Sequence, residues 1–471
     1  YILYFLNKIQ HQEYSEFFLE MFPVRVYRAS EALGNVLGYI GEISREELEK
    51  KQEEGYIPGD LLGKLGLEKE YEAKLRGKPG YVSVEIYAGA EHKKVRKEKE
   101  PIAGEPLHLT IQSDLQELAY ARLQKIGKPG TVVLADAQTG AVLTFASYPS
   151  FDPNVFLSLQ RVEERMQILS DLKRPLIHRA TSGQYPPGSV FKLVVALAAL
   201  SSGKFHPAST FSCPGSLQIG ERLFKCWKSD GHGNINFIQA ISHSCDVAFY
   251  KMALTLGPET LEKWAKILGL GQPTGIDFPF EKTGVVPNPI WKRKHQGVEW
   301  YAGDTANFGI GQGYLLTTPL QILQLLLIIH HDGYAPKLHL TEEEKNQAKK
   351  QWVILPREYW DAVKKGMEQA VREGTAQKCF SPFYRVWGKT GTAQVSGQQD
   401  HSWFTALAKI GESDYAGVAL VEGGGKGSAT ALPLLCSLFQ FIAYQKNLAP
   451  LPPDFQMPSA EADLLTSAES D

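Results

Sequence analysis

The chain has 471 residues, more than one compact hydrophobic core usually holds, so the sequence predicts at least two domains. Its residues are 43% hydrophobic and 22% charged, close to the average of folded soluble proteins, which excludes a fibrous or wholly disordered chain. The 50 basic residues nearly balance the 52 acidic ones, so the chain lacks the basic excess that nucleic-acid binding requires, and we expect no nucleic-acid partner.

The N-terminal part of the chain carries no catalytic signature. Its apolar opening, YILYFL, is far shorter than the roughly 20 residues that cross a bilayer. Because the chain begins with Tyr1 and not with Met, we expect an upstream membrane anchor or signal sequence in the natural protein. Further on, the charged stretch SREELEKKQEEG predicts a solvated helix that ends at Gly55.

A charged stretch with Pro and Gly, EHKKVRKEKEPIAGEP, indicates a strand edge that leads into an interdomain connection. It places one domain at residues 1–105 and a second, larger domain at residues 106–450. The remaining residues, 451–471, are Pro-rich and then acidic without periodicity, and we expect them to form a disordered tail.

The start of the second domain alternates strand and helix patterns. The stretch PLHLTIQSDLQELAYARLQKIG predicts a strand and then a helix that is capped by Ser113 or Asp114. The stretch GTVVLADAQTGAVLTFAS predicts two strands around a turn at Gln138 to Gly140.

The first candidate for chemistry lies in YPPGSVFKLVVALAALSSG, residues 185–203, which is apolar on every face and predicts a buried helix. Ser189 lies in its first turn, and Lys192 follows on the same face, with Cβ atoms about 5–6 Å apart. Burial favours a neutral amine, so Lys192 can act as a base for Ser189. Taken alone, this common spacing also fits a capping serine beside a lysine that extends to solvent.

Two further motifs favour the catalytic interpretation. The stretch ISHSCDVAFYK puts Ser244 and Asp246 on one side of the chain if the chain is locally extended. The stretch GKTGTAQ, residues 388–394, precedes the strand pattern SWFTALAK, and its small residues let backbone N–H groups approach a substrate. Taken by itself, this last motif also fits a strand end with a turn. The catalytic interpretation therefore depends on the order of the three motifs.

S-x-x-K, then S-x-D, then K-T-G, in this order, resembles the motif set of the penicillin-binding proteins and serine β-lactamases. Further stretches are similar to the elongation-type penicillin-binding protein 2 subfamily of class B: GLEKEYEAKLRGKPG, YPSFDPNVF, RATSGQYPPGSVFK and IGQGYLLTTPLQ. The resemblance implies an α+β multidomain fold with an N-terminal pedestal, or dimerisation-like, domain. The C-terminal domain would be a penicillin-binding, serine β-lactamase-like transpeptidase domain, an antiparallel sheet flanked by helices plus an all-helical part.

The resemblance also implies the activity of a serine-type D,D-transpeptidase. Such an enzyme cross-links peptidoglycan stem peptides through a serine acyl-enzyme during cell elongation and is inhibited by β-lactams. At the matching positions of this chain, Ser189 would be the nucleophile and Lys192 its base, while Ser244 and Lys389 would carry protons. The backbone N–H groups of Ser189 and Thr392 would form the oxyanion hole.

The K-T-G motif and the S-x-D motif supply the remaining site residues that the resemblance implies. Thr390, Gly391 and Thr392 would bind the donor peptide. Asp246 counts among the catalytic positions, although most of the superfamily has asparagine there. A carboxylate only accepts hydrogen bonds unless it is protonated, so the role of Asp246 stays open.

The same resemblance implies a protein on the periplasmic face of the bacterial cytoplasmic membrane, held there by an N-terminal anchor. Its partners would be a SEDS-type glycosyltransferase and scaffold proteins of the rod complex. Two other functions stay open: a D,D-carboxypeptidase or β-lactamase-type hydrolase, and a non-catalytic β-lactam-sensing or wall-binding module. The long N-terminal region disfavours a small secreted β-lactamase.

Three cysteines and one histidine indicate a metal site. Cys213, Cys226 and His232 lie in a Gly-rich, polar region that makes a poor apolar core, and Cys245 lies between two residues of the S-x-D motif. Three thiolates and one imidazole form a closed tetrahedral zinc set, and some members of the subfamily carry a metal in this region. We therefore expect a structural Zn²⁺ that supports Ser244 from behind.

Two other interpretations of these cysteines stay open, because the spacing lacks the C-x2-C pair that marks many zinc sites. One is a disulfide between Cys213 and Cys226 in an oxidising periplasm, and the other is three inert buried thiols. For the two isolated cysteines, Cys379 and Cys436, we expect simple burial.

Overall fold

A computed structural model describes residues 25–28, 31–86, 93–346 and 353–451. Short elements build its N-terminal part, and a small core of Ile43, Tyr56 and Leu62 lies between some of them. The helices are α1 (Gly34–Leu37), α2 (Arg45–Lys51), α3 (Gly66–Glu70) and α4 (Glu72–Leu75). The strands are β1 (Ile40–Glu42), β2 (Leu61–Gly63), β3 (Tyr81–Ile86) and β4 (Lys93–Lys99), which pair antiparallel as β1–β2 and β3–β4.

The second part of the chain is built on one five-stranded antiparallel sheet, in the order β11–β12–β13–β5–β6. Its strands are β5 (Gly130–Asp136), β6 (Val142–Tyr148), β11 (Arg385–Ala393), β12 (His401–Ile410) and β13 (Ser413–Val421). Four shorter strands form two antiparallel pairs outside it: β7 (Thr210–Cys213) with β10 (Gly233–Asn236), and β8 (Ser216–Ile219) with β9 (Arg222–Lys225).

Helices cover both faces of the five-stranded sheet, and others pack on those helices or lie further from the sheet. The helices of this part are α5 (Ser113–Ile126), α6 (Val162–Ser170), α7 (Arg179–Ser182), α8 (Lys192–Ser201), α9 (Phe237–Ser242), α10 (Asp246–Leu256), α11 (Pro258–Ile267), α12 (Pro289–Gln296), α13 (Ala302–Gly309), α14 (Pro319–His330), α15 (Arg357–Arg372) and α16 (Ala431–Gln445). Alternating strand residues such as Val132 and Val133 enter two different cores, as the period of a strand requires. One core contains α5 and α16, and the other contains the helical part around α8. No helix within the described ranges is long and apolar enough to cross a membrane.

The helix predicted over residues 185–203 forms the centre of the helical part. A 3-10 turn, Gly188–Phe191, leads into α8, and every residue of α8 from Lys192 to Leu200 is buried. Helix α8 contacts α10, α11 and α15. The continuous apolar composition is therefore explained by burial on all sides, and Lys192 is the one charged residue inside it.

Among the other predictions from the sequence, some are confirmed and some are wrong. The charged helix is confirmed as α2 and a following 3-10 turn, and Gly55 ends it in the left-handed conformation, with φ of 79°. Strands β5 and β6 are confirmed, with Asp136 accepting from the backbone N–H groups of the turn. The strand predicted before α5 is wrong, because its residues form only an isolated bridge at Leu109. The predicted capping residue is also wrong, since Gln112 occupies the cap without a side-chain bond.

The predicted domain limits at residues 105 and 450 stay predictions, and the predicted disordered tail lies outside the described residues apart from Leu451.

The expectation of simple burial for Cys379 and Cys436 is wrong, because the two form a disulfide with a Cα–Cα distance of 5.6 Å. Both residues are buried, so that part of the expectation is confirmed. The bond joins the turn before β11 to α16 across 57 residues of sequence. Lone cysteines that far apart carry no pairing pattern, so only the fold reveals the contact.

Loss of this disulfide should lower the free energy of unfolding by about 4 kcal/mol, because the closed loop restricts the unfolded chain. Replacing both Cys379 and Cys436 by alanine, followed by chemical denaturation, measures the loss. Reductant should destabilise the parent protein and leave the double variant unchanged. Equal stability of the two proteins under oxidising conditions would contradict this prediction.

Candidate active site

Ser189 lies in the 3-10 turn that precedes α8 and is half-buried, whereas Lys192, the first residue of α8, is fully buried. Gly188 makes the turn fit against β11. Its φ is 55°, and a Cβ atom at this position would lie 2.6 Å from the carbonyl oxygen of Thr392. The glycine therefore lets the turn that carries Ser189 approach the strand that carries the K-T-G motif.

The ammonium group of Lys192 is turned towards the S-x-D motif. Its Nζ donates to the carbonyl oxygen of Ser244 at 2.7 Å, to Ser244 Oγ at 3.3 Å and to Asp246 Oδ1 at 2.7 Å. In the part of the chain that the structure describes, no hydrogen bond joins Lys192 to the hydroxyl of Ser189. The sequence indicated burial of Lys192, and the structure adds an ion pair with the carboxylate of Asp246.

Ser244 occupies the junction between α9 and α10 in a left-handed backbone conformation, with φ of 54°. This conformation is uncommon for a residue other than glycine and requires support from its surroundings. The expectation of a locally extended motif is therefore wrong. The expectation that Ser244 and Asp246 lie on one side of the chain fits nevertheless, because both contact Lys192 Nζ.

Lys389 reaches the same hydroxyl from β11. Its Nζ is fully buried and donates to Ser244 Oγ at 2.9 Å and to the carbonyl oxygen of Thr390 at 3.0 Å. Burial, and then the nearby charge of Lys192, hold the pKa of Lys389 well below its usual range, although Asp246 opposes this. The two lysines flank Ser244 Oγ, and burial disfavours a charge on both at once.

The remaining K-T-G residues line β11. Thr392 Oγ1 accepts from the N–H of Gly427 at 3.3 Å, which leaves its own O–H free to donate to a ligand. Thr390 Oγ1 donates to Thr375 Oγ1 at 2.8 Å. A Cβ on Gly391 would lie 3.0 Å from the carbonyl oxygen of Pro187, so its absence allows close packing against the Ser189 turn.

Sequence reasoning missed two residues at this strand. Thr375, which follows α15, holds the hydroxyl of Thr390, and no motif pointed to it. Gln312 donates from Nε2 to the carbonyl oxygen of Thr392 at 3.2 Å. It lies in the stretch IGQGY, which the sequence used only as a sign of family resemblance.

The four predicted metal ligands come together behind the S-x-D motif. The ligand atoms of Cys213, Cys226, His232 and Cys245 all lie within 4.8 Å of one another, and we call these residues the Cys3His cluster. Each thiol is buried, and no disulfide joins Cys213 to Cys226, so that alternative is wrong for this structure. His232 Nδ1 lies 3.6 Å from the sulfur atoms of Cys213 and Cys226.

The donor set fits a zinc ion. A hydrogen bond from the Cys245 thiol lowers the pKa of Cys226 to about 5, so Cys226 provides a thiolate at neutral pH. Burial lowers the pKa of His232, which keeps its imidazole neutral and able to coordinate. Three sulfurs and one imidazole nitrogen within this distance match a closed structural zinc site, without a position for substrate.

Asp246 links the Cys3His cluster to Lys192. Its Oδ2 accepts from the backbone N–H of Trp227 at 2.8 Å, and Trp227 directly follows Cys226. Its Oδ1 accepts from Lys192, and its backbone follows Cys245. The carboxylate is thus fixed at both oxygen atoms, between a cluster residue and the buried ammonium group.

The turn with a half-buried serine, the two buried lysines around Ser244 and the edge strand with the K-T-G motif define an acyl-transfer site of the penicillin-binding class. A family model for the penicillin binding protein transpeptidase domain matches residues 130–439, and one for the penicillin-binding protein dimerisation domain matches residues 6–109. The chain belongs to the penicillin-binding protein transpeptidase family, as the resemblance predicted, and the predicted fold class is confirmed.

Two relatives within this family are both named peptidoglycan D,D-transpeptidase MrdA. The chain is 34% identical to the peptidoglycan D,D-transpeptidase MrdA of Escherichia coli K12, over 93% of this chain and 74% of that protein. It is 33% identical to MrdA of Haemophilus influenzae, over 90% of this chain and 70% of the relative.

Solved structures that are similar to the chain belong to the same family. The chain is similar to the penicillin-binding protein PBP2 of Helicobacter pylori in complex with MreC, with a TM-score of 0.79 and 31% identity over 89% of this chain and 78% of that one. It is similar to PBP2 of Pseudomonas aeruginosa in complex with WCK 5153, with a TM-score of 0.76 and 31% identity over 91% of this chain and 92% of that one.

Proposed function

We propose that this protein is a peptidoglycan D,D-transpeptidase that joins stem peptides through an acyl-enzyme on Ser189. The observation that carries the proposal is the convergence of three separate motifs on one hydroxyl. Ser244 Oγ contacts Nζ of Lys192 from the S-x-x-K motif and Nζ of Lys389 from the K-T-G motif. The similarity to MrdA proteins over most of the chain supports the same activity.

The reaction consists of two acyl transfers. Ser189 Oγ attacks the carbonyl carbon of the D-Ala–D-Ala peptide bond, an ester bond forms, and the C–N bond breaks with release of D-Ala. An amine of a neighbouring stem peptide then attacks the ester carbon, forms the cross-link and releases Ser189. In each step one proton leaves the nucleophile and one reaches the leaving group, so a neutral base is needed beside Ser189.

The proposed base is Lys192, and the proposed proton route runs through Ser244. Lys192 accepts a proton from Ser189 only after its own ammonium proton has moved. Because Ser244 Oγ contacts both lysines, it offers a path for that proton to Lys389. Burial lowers the pKa of Lys389, which favours this second amine as the acceptor of that proton.

Backbone and hydroxyl donors complete the proposed site. The N–H groups of Ser189 and Thr392 stabilise the oxyanion of the tetrahedral intermediate. Thr392 Oγ1, whose acceptor capacity is used by Gly427, donates its proton to the terminal carboxylate of the donor peptide. Thr390 and Gly391 place this part of β11 against the Ser189 turn.

A fluorescent penicillin tests the function and separates it from the alternatives. A transpeptidase forms a long-lived adduct on Ser189 and cross-links stem peptides that offer a free amine. Rapid turnover of the adduct, with release of hydrolysed product, would indicate a carboxypeptidase or β-lactamase. Absence of an adduct would indicate a non-catalytic module.

We propose that the protein acts at the periplasmic face of the cytoplasmic membrane through an N-terminal anchor. The disulfide between Cys379 and Cys436 supports an oxidising compartment. A similar PBP2 chain is solved with MreC, which supports rod-complex scaffold proteins as partners. Another similar chain is solved in a peptidoglycan synthase complex that coordinates polymerization and crosslinking, which supports a SEDS-type glycosyltransferase as a partner.

We propose further that the Cys3His cluster holds a structural Zn²⁺. Such an ion fixes the loops that carry its ligands and supplies no chemistry to substrate, because all four coordination positions come from protein. The hydrogen bond from Trp227 to Asp246 connects these fixed loops to the carboxylate, which in turn holds Lys192 in position. Because Cys245 directly follows Ser244 in the chain, an ion bound to Cys245 would also hold Ser244 in position.

Replacing Cys245 with serine should lower zinc content, thermal stability and acylation rate together. Purified parent protein should contain about one zinc ion per chain by elemental analysis. The double variant that replaces Cys379 and Cys436 with serine is the control for zinc content, because it removes a disulfide outside the cluster and should keep its zinc. A parent protein without zinc, or a Cys245→Ser variant with unchanged melting temperature and acylation, would refute the metal proposal.

A further inference from the structure

Strand β11 is an edge strand whose free edge faces the Ser189 turn. In the sheet it pairs with β12 alone, and it packs against the turn Gly188–Phe191 on its other side. The free edge of a strand offers N–H and C=O groups to an extended peptide, which adds as a further strand. A donor stem peptide that reaches Ser189 is therefore expected to hydrogen-bond to this edge.

The carbonyl oxygen of Thr392 is the acceptor on this edge next to the proposed oxyanion hole. It faces the Ser189 turn, since a Cβ on Gly188 would lie 2.6 Å from it. The N–H and C=O groups of one strand residue point to the same edge, so this carbonyl lies beside the N–H proposed to stabilise the oxyanion. An amide N–H of the bound donor peptide would use it.

The side chain of Gln312 already hydrogen-bonds to that carbonyl oxygen. Its Nε2 donates to the Thr392 oxygen at 3.2 Å. The backbone around it is fixed: Gln312 N donates to the carbonyl of Asn307 at 2.9 Å, and the preceding Gly311 accepts from Gly188 N at 2.9 Å. The side-chain amide is therefore the part that can leave without disturbing the segment.

We propose that Gln312 is a gate on substrate binding, and that the amide N–H of the incoming donor displaces its side chain from the Thr392 carbonyl. The inference rests on the proposed transpeptidase function and adds to it a residue that selects substrates. Donors with an amide N–H next to the scissile carbonyl gain a hydrogen bond in exchange for the one that Gln312 gives up. Ligands without this N–H leave the hydrogen bond between Gln312 and the Thr392 carbonyl in place.

Two β-lactams that share one bicyclic nucleus separate the gate from a structural role. Benzylpenicillin carries an acylamino N–H at the position that mimics the donor amide, and penicillanic acid carries only hydrogen there. In Gln312→Ala, the second-order acylation rate with benzylpenicillin should rise by about two- to tenfold, because no side chain competes for the carbonyl. The rate with penicillanic acid should stay within about twofold, since it makes no bond there.

A second variant, Gln312→Glu, keeps the size of the side chain and removes the NH2 donor, so it should shift the ratio of the two rates in the same direction. If both rates fall together in either variant, Gln312 merely supports Thr392 and the gate is refuted. An unchanged ratio refutes it as well. A parent protein that fails to form any acyl-enzyme would instead refute the proposed function, so the two failures are distinguishable.

Discussion

Ser189→Ala should abolish covalent labelling by fluorescent penicillin while the protein stays folded. The substitution removes only the hydroxyl group. Ser189 is half-buried in a turn, and among the described residues no hydrogen bond to its side chain holds it there. Its loss should therefore change the free energy of unfolding by less than about 1 kcal/mol. Acylation should fall below detection, because the variant lacks the hydroxyl that forms the ester in the proposed reaction.

Labelling intensity on a denaturing gel, together with the unfolding midpoint, checks this prediction. Ser202→Ala is a matched control at the other end of the same helix, where the serine hydroxyl donates to the carbonyl of Ala199 and accepts from the backbone N–H of Lys204. This control should label like the parent protein. Residual labelling of Ser189→Ala at the parent rate would show that another residue is the nucleophile.

Lys192→Met should lower the acylation rate by about 10²–10⁴-fold, the range that loss of a general base produces. Methionine fills much of the space of the lysine stem and removes the ammonium group. The variant should also lose stability, because Asp246 would keep a buried charge without its partner. The loss of rate and the loss of stability therefore have different causes.

A second substitution separates these causes. In Lys192→Met with Asp246→Asn, the uncompensated carboxylate is gone, so most of the stability should return while acylation stays low. Lys251→Met is the control, since its exposed amine only donates to the carbonyl of Ser212 on the surface. Recovery of the acylation rate in the double variant would contradict a role of Lys192 as base.

The sequence was informative where local chemistry determines structure. Continuous apolar residues after Pro-Pro-Gly predicted the buried helix α8, and its one lysine pointed to the turn that we propose as catalytic. The resemblance then assigned a role to each motif, and the structure brings Ser244, Lys192 and Lys389 into contact. The proximity of the four residues of the Cys3His cluster also agrees with the sequence, whereas the metal itself stays a prediction.

What the sequence could not supply depends on contacts between distant segments. The pairing of Asp246 with Lys192 needs the left-handed turn at Ser244, which an extended chain would not make. The disulfide of Cys379 with Cys436 needs α16 to pack beside the turn before β11. Thr375 reaches β11 from a segment without any motif, and Gln312 does so from a stretch that indicated the family resemblance but no role for this residue.

Peptide mapping of the penicillin adduct by mass spectrometry is the sharpest test of Ser189 as the nucleophile. We expect a single acylated peptide that contains residues 185–192, with the added mass on Ser189. An adduct on any other side chain, or a stable non-covalent complex without an adduct, would contradict it.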